Sequence, residues 1–292
     1  MSVFASSDAE SRFRTAYDAV LDRWPAEREQ LRLSTGYGTT VIHAVGPASG
    51  VPVLLLHAGG ATAASWFANV GPLAGRCRVY AADRPGEPGL STSGPTEIRE
   101  REDWMAWIGS LLDRLGLAEC ALVGHSYGGW LALSYALRTP GRVSRLALID
   151  PTSCFRGSRP GYTVRAIPMF VRPTAQRARR FLEWETGGRP LAPELLELIT
   201  CGEADFPAGR TVFPTRPSGD AMAALDLPVL LALPRHSRQN DPAALARAAR
   251  RVLRRLSVVE LPGQTHHSVP SYDPELLNRT LLDFLAGSTD GS

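Results

Sequence analysis

Seven short apolar runs, each bounded by Gly, Pro or Asp, constrain this chain more than any other feature. They lie at 39–45 (TTVIHAV), 51–57 (VPVLLLH), 77–82 (CRVYAA), 119–124 (ECALVG), 143–149 (VSRLALI), 227–233 (LPVLLAL) and 257–261 (SVVEL). Several are apolar throughout rather than alternating, which is the pattern of strands covered on both faces. Helical periodicity fills stretches between them, near 97–115, 128–139, 242–255 and 274–286. Strands alternating with helices predict an α/β fold with a mostly parallel, doubly wound sheet. Ahead of the first run, Phe13, Ala16, Tyr17, Val20, Leu21 and Trp24 recur at helical spacing and Pro25 follows. Residues 8–24 are therefore expected to form an extra amphipathic helix docked on the domain edge.

The rhythm lapses between about 151 and 224. That stretch is rich in Arg and Pro, shows no clear strand, and scatters large apolar side chains such as Phe155, Phe181, Leu182, Trp184 and Phe206. It reads as a helical lid inserted over the mouth of the sheet. The expected organisation is an N-terminal core part at 1–150, the lid at 151–224, and a C-terminal core part at 225–292. A chain of 292 residues suits one large domain carrying such an insertion.

Composition removes several chemistries. All 32 basic residues are arginine, and there is no lysine. That excludes a lysine Schiff base, a pyridoxal-phosphate anchor, a Walker-A lysine and a Ser-Lys dyad, because arginine stays protonated. A formal charge of +3 is close to balance and does not point to nucleic acid. Cys77, Cys120, Cys154 and Cys201 are widely spaced, with no C-x-x-C pair, and are expected to be reduced thiols rather than a disulfide framework or zinc site. The first thirty residues carry Asp8, Glu10, Arg12, Arg14, Asp18 and Asp22 and lack a leader-like apolar run. No stretch approaches the length of a membrane span. A soluble, cytoplasmic protein without cofactor or metal is the expectation.

The residues that carry chemistry are grouped in three motifs. Gly124-His125-Ser126-Tyr127-Gly128 is a G-x-S-x-G run directly after one apolar strand and directly before a helical pattern. A nucleophile on so sharp a strand-to-helix turn needs glycines two residues to either side, where a side chain would strike neighbouring backbone. The helix starting behind Ser126 also aims its free N–H groups at the reacting centre. Leu56-His57-Ala58-Gly59-Gly60 ends another apolar strand, and the amide of Gly59 can pair with that of Tyr127 to hold an oxyanion. Leu261-Pro262-Gly263-Gln264-Thr265-His266-His267 follows the last strand and supplies a histidine able to act as general base.

In this order the motifs resemble those of a lid-bearing α/β-hydrolase over nearly the whole chain. The segment Asp83-Arg84-Pro85-Gly86-Glu87-Pro88-Gly89-Leu90-Ser91 is similar to that family's D-x-x-G-x-x-G-x-S loop. The resemblance implies Ser126 as nucleophile, His266 as base, and the amides of Gly59 and Tyr127 as oxyanion donors. A serine at that position also argues against dehalogenase and epoxide hydrolase chemistry, for which the family uses Asp. Two features depart from the pattern. Ala58 replaces a glycine, and Ser237 stands where an acid usually follows the strand at 228–233. Asp150, ending the run 143–149, is the preferred replacement, because some family members carry their acid on that strand. Asp241 is the alternative, although Asp before Pro242 is also an ordinary helix cap. Absence of any working acid is the third possibility.

His43 is expected to be structural and Asp83 to anchor its loop. His125 either lines the pocket or packs beneath it. Arg247, Arg250, Arg251, Arg254 and Arg255 fall on one side of the helix expected at 242–255, as a solvated face or as a docking patch for an acidic carrier protein. The expected function is a serine hydrolase cleaving an ester, lactone or thioester of a largely apolar small molecule through an acyl-enzyme. Two alternatives remain: non-hydrolytic acyl transfer or cyclisation, from the altered acid site and a lid that could exclude water, and ligand binding without turnover, from the altered acid site alone.

Overall fold

The computed structural model describes residues 4–206 and 211–287. Each apolar run becomes a strand. The strands are β1 (Glu29–Thr35), β2 (Gly38–Val45), β3 (Val51–Leu56), β4 (Cys77–Ala82), β5 (Thr92–Ser93), β6 (Cys120–His125), β7 (Val143–Ile149), β8 (Val229–Pro234) and β9 (Leu256–Leu261). They form one sheet in the order β1-β2-β4-β3-β6-β7-β8-β9, with β5 beside β2. From β4 to β9 every neighbouring pair is parallel, while β1 and β2 join antiparallel at one edge.

Both faces of the central parallel strands are buried, as the unbroken apolar runs require, while β9 at the edge is only partly covered. On β3, Val53 and Leu55 enter one core with Phe13, Trp66 and Phe284, while Leu54 and Leu56 enter the other with Trp107 and Trp130. Each such side chain removed from water contributes roughly 1.5–3 kcal/mol before entropy is counted. The first core is covered by α1 (Ser7–Leu21), α2 (Phe67–Ala74) and α10 (Glu275–Leu285). The second is covered by α3 (Arg101–Arg114), α4 (Tyr127–Arg138) and α9 (Pro242–Arg250).

The N-terminal helix does more than cover an edge. Tyr17 on α1 donates to Asp83 Oδ2 at 2.9 Å and lies 2.9 Å from His43 Nε2. Asp83 also accepts from the amides of Ala63 and Leu90, each at 2.7 Å, so it anchors its loop as expected. Burial pushes the Asp83 carboxyl up to about 6 and His43 down to about 4. His43 is thus a neutral structural group.

Between β7 and β8 the chain is helical: α5 (Pro160–Val171), α6 (Ala175–Thr186), α7 (Pro193–Asp205) and α8 (Gly219–Ala223). Leu195, Leu198 and Cys201 of α7 join the core that holds Phe13, while Met222 of α8 joins the opposite one. The insertion is therefore tied to both layers. Among the described residues no helix is long and apolar enough to cross a membrane.

One local expectation is corrected, and two elements are added. Helix α9 ends at Arg250, because Arg255 must already accept from the Val229 amide at 2.8 Å where β9 joins β8. Arg251, Arg254 and Arg255 are outside it, so the five arginines do not share one helical face. Strand β1 has no apolar run of its own, because only Leu31 and Leu33 alternate in an edge strand that is mostly polar. Helix α2 is too short, with Pro72 inside it, to show a helical period.

Candidate active site

Every candidate side chain leaves the sheet at the carboxyl end of a strand, where open α/β sheets place their ligands. Ser126 follows β6, Asp150 follows β7, Ser237 follows β8 and His266 follows β9. Ser126 has φ 54° and ψ −115°, a left-handed conformation costing on the order of 1–3 kcal/mol in a residue with a side chain. Its carbonyl accepts from the amides of Gly129 and Thr152, and its amide donates to Ile149 at 3.0 Å. The neighbouring glycines have no room for substitution. A Cβ on Gly124 would lie 2.3 Å from the Gly128 carbonyl oxygen, and one on Gly128 would lie 2.1 Å from that of Leu56.

Ser126 Oγ is 2.9 Å from His266 Nε2, and His266 Nδ1 is 2.8 Å from Asp150 Oδ2. All three residues are buried, Asp150 completely. The carboxylate is held by more than the imidazole. Ser237 donates to the same Oδ2 at 2.6 Å, and Asn240 Nδ2 donates to Oδ1 at 2.8 Å. Ser237 thus occupies the position where an acid was expected and hydrogen-bonds Asp150, the preferred candidate.

The alternative acid is not at this centre. Asp241 caps α9, accepting from the Ala244 amide at 2.9 Å, and pairs with Arg159 at 3.7 Å in an exposed position. That cap and the cationic Arg159 hold its carboxyl below the usual range. The sequence Asp-Pro at a helix start decided its role.

The two expected oxyanion donors lie side by side. A Cβ built on Gly59 would sit 3.8 Å from that of Tyr127. Tyr127 is the first residue of α4, so its N–H has no acceptor within the helix. His125 is driven to its neutral form by burial, with His266 adding to the shift, and its Nε2 is 2.9 Å from the His266 carbonyl oxygen. It packs beneath the site as a scaffold. Among the described residues no group of three His, Cys, Asp or Glu side chains is arranged to hold a metal ion.

The model of the α/β hydrolase family matches residues 53–280. The chain belongs to this family. It is 30% identical over 292 residues to carboxylesterase YbfK of Bacillus subtilis (strain 168), covering 97% of each protein. The crystal structure of that carboxylesterase, CesB (YbfK), matches with a TM-score of 0.89 at 28% identity, over 96% of this chain and 99% of that one. Naproxen esterase from Bacillus subtilis matches with a TM-score of 0.88 at 23% identity, over 96% and 99%, which shows the shared fold.

In this α/β hydrolase several supporting residues carry no local sequence signal. Glu185 at the end of α6 is fully buried and accepts from Thr265 Oγ1 at 2.9 Å and from the amides of His266 and His267 at 3.1 and 2.8 Å. One carboxylate of the insertion thereby fixes the loop that carries His266. Arg84, also fully buried, donates to the carbonyls of His57 and Ala58, the latter at 2.9 Å, and pairs with Glu87. Its guanidinium carbon lies 5.0 Å from the centroid of the Tyr127 ring, so it braces the Gly59 segment against α4. An arginine in a D-x-x-G loop was visible, but its target was not. Aromatic side chains of the insertion complete the surroundings: Tyr162 Oη is 3.1 Å from His267 Nε2, and the Phe181 ring lies 5.5 Å from that of His267.

Proposed function

We propose that this α/β hydrolase is a carboxylesterase that cleaves esters of small, largely apolar molecules through an acyl-enzyme on Ser126. The observation that carries the reading is the continuous chain Ser126 Oγ–His266 Nε2, 2.9 Å, and His266 Nδ1–Asp150 Oδ2, 2.8 Å, on a strained strand-to-helix turn. His266 Nε2 takes the Ser126 proton as Oγ attacks the acyl carbon. Asp150 holds the tautomer and stabilises the imidazolium, and the amides of Gly59 and Tyr127 receive the oxyanion. His266 then returns the proton to the departing alcohol and activates water for the second half. Lactones and thioesters present the same electrophile to Ser126.

Helices α5–α8 serve as the lid in this reading. The contacts of Tyr162 and Phe181 with His267 support it, as does the grip of Glu185 on the histidine loop. The similarity to carboxylesterase YbfK supports ester hydrolysis, and four buried free thiols support a reducing, cytoplasmic setting. Acyl transfer and non-catalytic binding were motivated by a displaced acid. A carboxylate 2.8 Å from Nδ1 takes that motive away and supports hydrolysis over both. The test is hydrolysis of a p-nitrophenyl acyl ester series with fluorophosphonate labelling. Ester turnover and labelling that both vanish in Ser126→Ala are expected. Undiminished turnover in that variant, with no labelling of the wild type, would overturn the reading.

A further inference from the structure

Thr152 lies two residues beyond Asp150, and its Oγ1 is 3.0 Å from Ser126 Oγ. Gln239 Nε2, which only donates, is 2.6 Å from the same Thr152 oxygen. The threonine hydroxyl therefore accepts from Gln239 and points its own O–H toward Ser126. Ser126 in turn donates to His266 Nε2, and His266 Nδ1–H donates to Asp150, so the four hydrogen bonds run in one direction. Gln239 is 2% exposed, and the amide of Thr152 is held by the Ser126 carbonyl at 3.1 Å. The donor is thus fixed at the nucleophile before any substrate arrives.

We propose that Thr152 is a catalytic residue for deacylation: its hydroxyl stabilises Ser126 Oγ as that oxygen leaves the acyl group, and Gln239 is the positioning residue that aims it. This rests on the acyl-enzyme reading above. In the acyl-enzyme, Oγ is an ester oxygen whose lone pair is shared with the carbonyl, and it accepts poorly. As the tetrahedral intermediate breaks down, the C–Oγ electron pair returns to Oγ and makes it a strong acceptor. The Thr152 bond therefore strengthens on the way to the transition state, the condition for acceleration. The step balances within the site. Water gives a proton to His266 Nε2 and its oxygen bonds the acyl carbon; the C–Oγ bond then breaks, and Oγ takes the proton from Nε2. Acylation starts from a serine hydroxyl that already accepts from Thr152, so the bond strengthens less on the way to its transition state and acylation gains less from it.

Pre-steady-state hydrolysis of p-nitrophenyl butyrate separates the two halves. Thr152→Val keeps the shape and removes the donor. It is expected to slow the steady phase about 10- to 100-fold after a burst of nearly one p-nitrophenol per fluorophosphonate-labelled site, with kcat and KM falling together and kcat/KM close to wild type. Thr152→Ser retains the hydroxyl and should retain the wild-type profile. Gln239→Met frees the hydroxyl to rotate and should give an intermediate steady rate with the same burst. If Thr152→Val instead lowers the burst and kcat/KM in proportion to a loss of labelled sites, Thr152 only maintains the fold and the proposal fails. An unchanged steady rate overturns it equally. Failure of the acyl-enzyme reading would show separately, as a wild type that neither labels at Ser126 nor turns over the ester.

Discussion

Replacing Asp150 by Asn isolates the charge of the displaced acid from its shape. Asp150 is completely buried, with Oδ2 accepting from His266 and Ser237 and Oδ1 accepting from Asn240. An Asn with its carbonyl toward His266 keeps the first two bonds. Its new NH2 then faces Asn240, whose own Oδ1 has no partner among the described residues and can turn to accept. The imidazole tautomer and the fold should survive, and only the negative charge is lost. At a charge separation of about 4 Å and an effective dielectric constant near 20, that charge favours the imidazolium by about 4 kcal/mol. At about 1.36 kcal/mol per tenfold, kcat should fall about 10³-fold, somewhat less than the roughly 10⁴-fold known for the corresponding change in serine proteases. The assay is kcat on a saturating p-nitrophenyl ester, normalised to active sites and accompanied by a thermal melt. Asp241→Ala is the control: loss of the α9 cap should cost about 0.5–2 kcal/mol of stability and leave kcat nearly unchanged. A kcat for Asp150→Asn within tenfold of wild type, or an equal loss in Asp241→Ala, would refute the assignment.

Other perturbations report on the frame around the triad. Gly128→Ala places a Cβ 2.1 Å from the Leu56 carbonyl oxygen and 2.6 Å from that of His57, both backbone atoms. The elbow and β3 cannot both keep their places, so a destabilisation above about 4 kcal/mol is expected in denaturant melts. Glu185→Ala strips acceptors from Thr265 Oγ1 and from the amides of His266 and His267. A loss of about 3 kcal/mol and a fall in kcat larger than the change in KM are expected, measured by melts and steady-state kinetics. Glu203 faces Gly60, and burial, with repulsion from Glu87 adding to it, pushes its carboxyl from 4.5 up to about 7. The native state then holds a proton that the unfolded chain has released, so stability should decline as pH rises from 4.5 to about 7. Glu203→Gln should abolish that decline in melts compared at the two ends of the range.

What the sequence alone determined are the features written in adjacent residues. Unbroken apolar runs specify strands covered on both faces, and the glycines around Ser126 specify a turn that only they can make. The candidate nucleophile, the Gly59 segment and the histidine loop were legible for that reason. His266 was visible because it directly follows a recognisable final strand. For the acid the residues favoured Asp150 but left Asp241 open, because the choice between them depends on strand register. Pairing of β6 with β7 sets Ile149 opposite His125 and the Ser126 amide on the Ile149 carbonyl, which brings Asp150 to the nucleophile. Asp241, closer to the expected position in the chain, is drawn away by the start of α9. Thr152, Gln239, Glu185 and Arg84 belong with Asp150 in this respect. Each acts on a partner far along the chain, 87 residues for Thr152 and Gln239 and 81 for Glu185 and His266. Spacing in a sequence records what a backbone does within a few residues. A hydrogen bond across such distances exists only once the sheet and its insertion have closed around it, and that was decided by the tertiary structure.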